Sequence, residues 1–168
     1  MRRIFIDKIG QAFTYHIFMQ GGLNMKYKNV AAYLKKFHNA KAVMEYTELV
    51  DGMTMVWVEF TVLLENLELV KYETTAIEIE SALYGPNRNI IDDNERNFAV
   101  MKYQREHPYA MRNLVKNMEF EKIRDKVKMM SVYREFAERF ENKEPDTAKE
   151  IKKKIEELED ALSKKLGH

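Results

Sequence analysis

The sequence predicts an α+β fold, in which a small antiparallel sheet precedes a helical C-terminal half. Two runs rich in β-branched, aromatic and Met residues flank Asp51-Gly52 and make residues 41–64 a hairpin. From residue 92 onward, apolar residues recur at helical spacing. We therefore divide the chain into 1–84, with N-terminal helices and the sheet, and 92–168, a helical region that forms one compact unit with the sheet.

The segment before the hairpin predicts two helices. Residues 3–20 have apolar residues at helical spacing, although their β-branched and aromatic content would also suit a strand, and Gly21-Gly22 ends the segment. Asn29 is placed to cap a second helix. One apolar stripe of that helix consists of Val30, Tyr33, Leu34 and Phe37.

A type I′ turn at Asp51-Gly52 sets the expected register of the hairpin. It pairs Val50 with Met53, Tyr46 with Trp57 and Val43 with Phe60. One face of the hairpin is then aliphatic and predicts core. The other carries Tyr46, Trp57 and several Met residues among carboxylates, which predicts either a second packed layer or a recognition surface; we favour a layer buried beneath the basic N-terminal helices.

The rest of the chain predicts one more strand and then only helices. Residues 67–84 alternate as an edge strand, and 85–92, with Gly85-Pro86-Asn87, are the expected boundary to the helices. Asp92 and Glu95 have capping-box spacing for a helix that ends at His107-Pro108. The apolar stripe then runs through residues 109–140 with a phase slip between Met118 and Phe120, which indicates two helices or one bent helix.

A second capping box, Thr147 to Glu150, predicts the start of the last helix. We expect this helix to dock antiparallel on the helix before it. The alternative is a two-heptad coiled-coil seam, which would allow a homodimer through residues 147–166. Its stripe consists of Ile151, Ile155, Leu158, Leu162 and Leu166.

No motif for catalysis is present, so we expect neither an enzyme nor a cofactor or metal site. The chain has no Cys, and its four His stand in no metal-binding spacing. Glu78, Glu80, Asp92 and Asp93 would suit a magnesium nuclease, but no Lys follows at short spacing and Asp92 serves as a helix cap, which favours surface acids. The absence of Cys, of a signal peptide and of a run of about 20 apolar residues predicts a cytoplasmic protein outside the membrane.

Charge is unevenly distributed along the chain. Residues 41–95 carry a net charge of −9, between residues 1–40 with +6 and residues 96–140 with +5. This pattern indicates either complementarity within the molecule or an acidic sheet face that meets a basic partner. A basic helix at 112–128 gives an alternative, direct nucleic-acid binding, although acidic residues are interleaved with it. Its candidate residues are Lys116, Lys122, Arg124, Lys126 and Lys128.

A short peptide gives the most specific indication of a partner. Gln20, Leu23 and Met25 form Gln-x-x-Leu-x-apolar, which is similar to peptides that dock in the pocket of bacterial DNA sliding clamps. In size, in a composition typical of AT-rich coding DNA and in charge segregation, the chain resembles small phage-encoded host-takeover proteins that inhibit this clamp.

That resemblance implies a non-enzymatic inhibitor or regulator of replication that binds the clamp of a bacterial host and blocks access of DNA or polymerase. Because the DNA channel of a clamp is basic, the acidic segment would act by mimicking DNA. The alternatives are the nucleic-acid binder and an assembly protein that oligomerises through its last helix. The candidate partner-binding residues are Gln20, Leu23, Met25, Tyr46, Glu48, Trp57, Glu59, Glu73 and Glu78.

Overall fold

The computed structural model describes residues 25–49 and 55–167, and within them the chain has the predicted α+β architecture. The predicted helix at 3–20 and the Asp51-Gly52 turn lie outside the described residues. The elements in chain order are α1 (Lys28–Phe37), β1 (Ala40–Leu49), β2 (Val56–Leu64), β3 (Leu69–Thr75), α2 (Ala76–Tyr84), a short 3-10 helix (Gly85–Asn87), α3 (Asp93–Glu106), α4 (Ala110–Lys116), β4 (Glu119–Lys122), α5 (Lys126–Phe140) and α6 (Pro145–Lys165).

The four strands form an antiparallel sheet in the order β1-β2-β3-β4, and helices cover both of its faces. Because successive side chains of a strand point to opposite faces, β1, β2 and β3 each contribute to two cores, whereas the residues of β4 are exposed. The aliphatic face packs against α1, α2 and α4; its residues are Val43, Val58, Phe60, Val62, Val70 and Tyr72. The opposite face, called the mixed face below, packs against α5 and α6; its apolar residues are Ala42, Met44, Tyr46, Leu63, Leu69 and Ile123.

The register of the hairpin differs from the predicted one by two residues. Tyr46 pairs with Glu59 instead of Trp57, and Val43 pairs with Val62 instead of Phe60. Leu49 lies opposite Val56, whereas a two-residue turn at Asp51-Gly52 would place Thr54 opposite Leu49. A shift by two positions leaves each side chain on its original face. The predicted division into two faces is therefore correct although the pairing was wrong.

The mixed face is a second packed layer, as one of the two predicted alternatives required. Met44 and Tyr46 are buried there with Tyr133 and Phe136 of α5 and Ile151 of α6. Of the two N-terminal helices expected to cover this face, the one predicted at 3–20 lies outside the described residues. The chain forms α1 immediately before β1, and α1 packs on the aliphatic face instead.

Only the first half of residues 67–84, which were predicted as one strand, forms a strand. β3 ends at Thr75, and α2 follows at once where the strand was predicted to continue. The Thr75 hydroxyl accepts a hydrogen bond from the backbone N–H of Glu78 at 3.2 Å and so caps α2. Ile79 and Leu83, four residues apart, are buried on one side of this helix. β3 is also an inner strand and not the predicted edge, because β4 pairs with it.

The phase slip at residue 119 marks a strand rather than a helix bend. Residues 119–122 form β4, whose Phe120 lies opposite Tyr72 and whose Lys122 lies opposite Val70. The predicted continuous basic helix at 112–128 therefore does not exist; this stretch contains the end of α4, β4 and the start of α5. Four residues are too short for a strand to be recognised by its periodicity. Through β4, residues beyond the predicted 85–92 boundary share the sheet with residues before it.

A buried carboxylate attaches α1 to the sheet. Asn29 does not cap this helix as predicted, and the N-cap position is Tyr27. Instead, Glu45 of β1 accepts hydrogen bonds from the backbone N–H groups of Tyr27 at 2.9 Å and Lys26 at 3.3 Å. Glu45 is only 4% exposed, and its burial raises the pKa of this carboxyl while these two hydrogen bonds and the Lys26 charge oppose the rise.

The predicted cap of α3 is confirmed, and α6 docks on α5 as expected. Asp92 accepts a hydrogen bond from the backbone N–H of Glu95 at 2.9 Å. Two ion pairs, Arg134 with Glu159 at 3.2 Å and Lys152 with Glu141 at 3.5 Å, show that α5 and α6 are antiparallel. α6 begins at Pro145, two residues before the predicted Thr147, because Pro suits the first position of a helix.

Replacing Glu45 by Gln should change the pH dependence of stability. The folded-state pKa of Glu45 lies above its unfolded value, near 4.5, so the wild type gains stability as pH falls through the folded value toward 4.5. The amide side chain of the variant cannot bind that proton. Urea unfolding at pH 7 and pH 5 should show that the free energy of unfolding of E45Q, relative to wild type, falls on acidification. An unchanged difference between the two proteins would contradict this assignment.

Replacing Ile151 by Ala should destabilise the protein by about 2–5 kcal/mol, because it leaves a cavity between α6, α5 and the mixed face. Ile151 is fully buried there. Lys153→Ala, at an exposed position on the same helix, is the matched control and should change stability by less than about 0.5 kcal/mol. Thermal unfolding followed by circular dichroism measures both. Equal stability of the two variants would mean that α6 does not dock on α5.

Candidate protein-interaction site

Three of the carboxylates predicted to contact a partner are buried. Glu48, Glu59 and Glu73 are only 5%, 5% and 6% exposed on the mixed face. Thr61 donates a hydrogen bond to Glu59 at 2.6 Å, and the ammonium group of Lys71 lies 3.8 Å from Glu73. The three carboxylates have interaction partners inside the molecule. In this conformation they therefore present no acidic surface that could mimic DNA, which corrects the reading of these residues as a contact surface.

The described apolar residues of the predicted site are also buried or half-buried within the molecule. Tyr46 is 5% exposed, and Trp57 is half-buried near the start of β2. The Met25 side chain is half-buried and packs against the core beneath α1, so it is not free to enter a pocket of another protein. Gln20 and Leu23, the other two members of the clamp-like peptide, lie outside the described residues.

Glu78 differs from the other described members of the predicted set because it is exposed. It lies in the first turn of α2, where its backbone N–H is held by the Thr75 hydroxyl. Thr74 donates a hydrogen bond to the Oε2 atom of its carboxylate. Among the described residues no donor contacts the other oxygen, Oε1, so a cationic group of a partner could bind there.

A groove of about 370 Å³ runs beside Glu78 between α2 and α4. Small side chains, Ser81, Ala82 and Ala110, lie along it, so the backbone of a bound segment could approach closely. Ile77, which is 55% exposed, and Leu114 provide apolar surface. The remaining lining residues are Asn113 and Asn117. The groove can take an apolar side chain, amide hydrogen bonds at its rim and one positive charge at Glu78.

Sequence reasoning found only Glu78 of this site. It missed the other lining residues because α2 was interpreted as a continuing strand. The spacing of Ala110, Asn113, Leu114 and Asn117 at i, i+3, i+4 and i+7 was visible, and it indicates a helix face with two amides beside apolar residues. The Thr75-x-x-Glu78 spacing of a capping box was also visible and could have revealed the start of α2.

The basic residues proposed for nucleic-acid binding are all exposed, but they lie on three elements and the connection between two of them. Lys116 ends α4, Lys122 lies on β4 and Lys126 begins α5. Lys122 forms an ion pair with Glu68 at 3.2 Å. Asp125, interleaved with the basic residues, caps α5 by accepting a hydrogen bond from the backbone N–H of Lys128 at 3.1 Å. Together these contacts neutralise part of the basic surface. The remaining members of the set are Arg124 and Lys128.

The described part of the chain contains no set of side chains arranged as metal ligands. Within it, no three His, Asp or Glu side chains converge in a way that could hold a metal ion. None of its helices combines the length and the apolar character that crossing a bilayer requires.

Comparisons with known proteins found no relative. No protein-family model, no curated protein and no solved structure matches this chain.

Proposed function

We propose that the protein is a non-enzymatic, protein-binding regulator of a replication protein, and that the α2–α4 groove receives a segment of that partner. The observation that carries the proposal is the groove itself, where an exposed carboxylate, Glu78, borders apolar and amide side chains. This mixture of a charge, amides and apolar floor fits a peptide segment with one Lys or Arg beside an apolar residue.

The DNA sliding clamp of a bacterial host is the first target to test. Its support is the resemblance to phage-encoded clamp inhibitors and the peptide containing Gln20 and Leu23. Burial of Glu48, Glu59 and Glu73 removes the support for DNA mimicry, so the proposal does not include it. Binding through a groove needs no large acidic surface, because desolvated contacts at a few residues dominate most interfaces.

Two substitutions on α2 test the groove in a binding titration against a purified sliding clamp. Glu78→Lys places a positive charge where a cation is expected, and Ser81→Trp fills the groove. Each should weaken binding about tenfold or more, which corresponds to about 1.4 kcal/mol. Matched controls on the exposed side of α5, Glu138→Lys and Ser131→Trp, should bind like wild type.

The possible outcomes separate the site from the target. If the clamp binds and neither α2 variant weakens it, the groove is not the contact; a loss on Gln20→Ala with Leu23→Ala would then assign binding to the peptide. If the clamp does not bind wild type at any concentration, the clamp is not the partner. Circular dichroism of each variant shows that the fold is retained.

Direct nucleic-acid binding is the competing function, and the exposure of all five basic candidates favours it. Lys116, Lys122, Arg124, Lys126 and Lys128 could contact phosphates even though they lie on different elements. Under the leading proposal, wild type should not retard single- or double-stranded DNA in a gel shift at low salt. Retardation that disappears when these five residues are replaced by Glu would support the competing function and contradict the leading one.

A further inference from the structure

The outer side of α3 carries an apolar stripe with charges at its two ends. At 3.6 residues per turn, successive residues are about 100° apart around a helix, so Phe98 and Arg105 fall within about 20° of one another. Glu95, Met101 and Lys102 lie within about 60° of Phe98 by the same geometry. Ile91 lies just before the start of the helix, and all six residues are exposed. We call this set the α3 stripe.

The apolar part of the α3 stripe is well exposed. Ile91, Phe98 and Met101 have exposed fractions of 87%, 64% and 66%. The opposite side of the helix is the one that packs on the fold, since Ala99 and Val100 are buried. An exposed aromatic and an exposed Met side chain on one side of a helix, with an exposed Ile just before the helix, are the kind of surface that marks a contact site.

The start of the stripe is held in place by the helix. The Arg96 guanidinium donates hydrogen bonds to the backbone carbonyl of Ile90 at 3.1 Å and to that of Ile91 at 3.1 Å. The same guanidinium pairs with Asp93 at 2.9 Å. On the inner side, Gln104 donates a hydrogen bond to the Ala82 carbonyl of α2 at 2.9 Å. The stripe is therefore a pre-formed surface, which lowers the entropy cost of binding.

The order of charges along the stripe is self-complementary. Glu95 lies near its N-terminal end, Phe98 and Met101 lie at its centre, and Lys102 and Arg105 lie near its C-terminal end. When two such helices pack antiparallel about a two-fold axis, Phe98 meets Met101 of the second copy and Glu95 meets Arg105 of the second copy. A parallel arrangement would instead oppose like charges.

We propose that α3 is a homodimerisation helix, which packs antiparallel against α3 of a second copy of this chain. The stripe shares no residue with the lining of the α2–α4 groove, so this proposal does not rest on the function proposed above. Stable complexes bury roughly 1,200 Å² or more, and this interface uses only one side of a 14-residue helix per copy. The dimer should therefore be weak and dependent on concentration.

A charge swap tests the arrangement with the full chain in sedimentation equilibrium. The wild-type mass should rise with protein concentration from 20.0 kDa toward twice that value. Glu95→Lys and Arg105→Glu should each weaken the dimer about tenfold or more, whereas the double variant E95K/R105E should return to within about threefold of wild type. Phe98→Asp should abolish the dimer.

Stability measurements separate this result from an effect on the fold. Both reversals oppose the dipole of α3, so the double variant should unfold more easily than either single variant even while its dimer recovers. Glu156→Lys with Lys153→Glu on α6 is the matched control and should leave the dimer unchanged. A constant mass of 20.0 kDa across concentrations, or a double variant no better than the singles, would overturn the proposal.

Discussion

The structure depends on a sheet whose strands β1, β2 and β3 are largely buried on both faces. The aliphatic face is covered by α1, α2 and α4, and the mixed face by α5 and α6, so β2 contributes to two cores at once through residues such as Phe60 and Leu63. Polar side chains on these strands must then find partners inside the molecule, because an unpaired buried charge is strongly destabilising. Two buried residues show such partners. Glu45 accepts hydrogen bonds from the backbone N–H groups of two residues before α1, and Lys71 forms ion pairs with Glu73 and Glu121.

This burial bears on the two explanations of the charge pattern. The acidic segment 41–95 could form a surface for a basic partner, or it could pair with the basic segments of the same molecule. Burial of Glu48 and Glu59, together with the Lys71 and Lys122 ion pairs, supports the internal explanation for the sheet. Charged residues such as Glu78 on α2 remain exposed, and the proposed binding surface lies there.

Much of the fold could be predicted from periodicity, whereas the site could not. The two faces of the hairpin followed from alternation alone, but its register did not follow from the Asp51-Gly52 dipeptide, because the observed pairing is shifted by two positions. β4 was missed because four residues with one aromatic carry no periodic signal, and its pairing with β3 is a contact between distant parts of the chain. Since α2 was interpreted as strand, no groove between α2 and α4 could be foreseen.

The two amphipathic candidates in the C-terminal half illustrate why a stripe alone does not identify an interface. α6 has one apolar stripe, and the fold uses it: Ile151 and Ile155 are buried against α5 and the mixed face. α3 has apolar residues on two sides, with Val100 turned to the core and Phe98 to solvent. One helix packed on one neighbour needs only one apolar side. The fold of a single copy therefore does not need the apolar residues on the outer side of α3. The order of the charges along that side favours antiparallel packing of two copies.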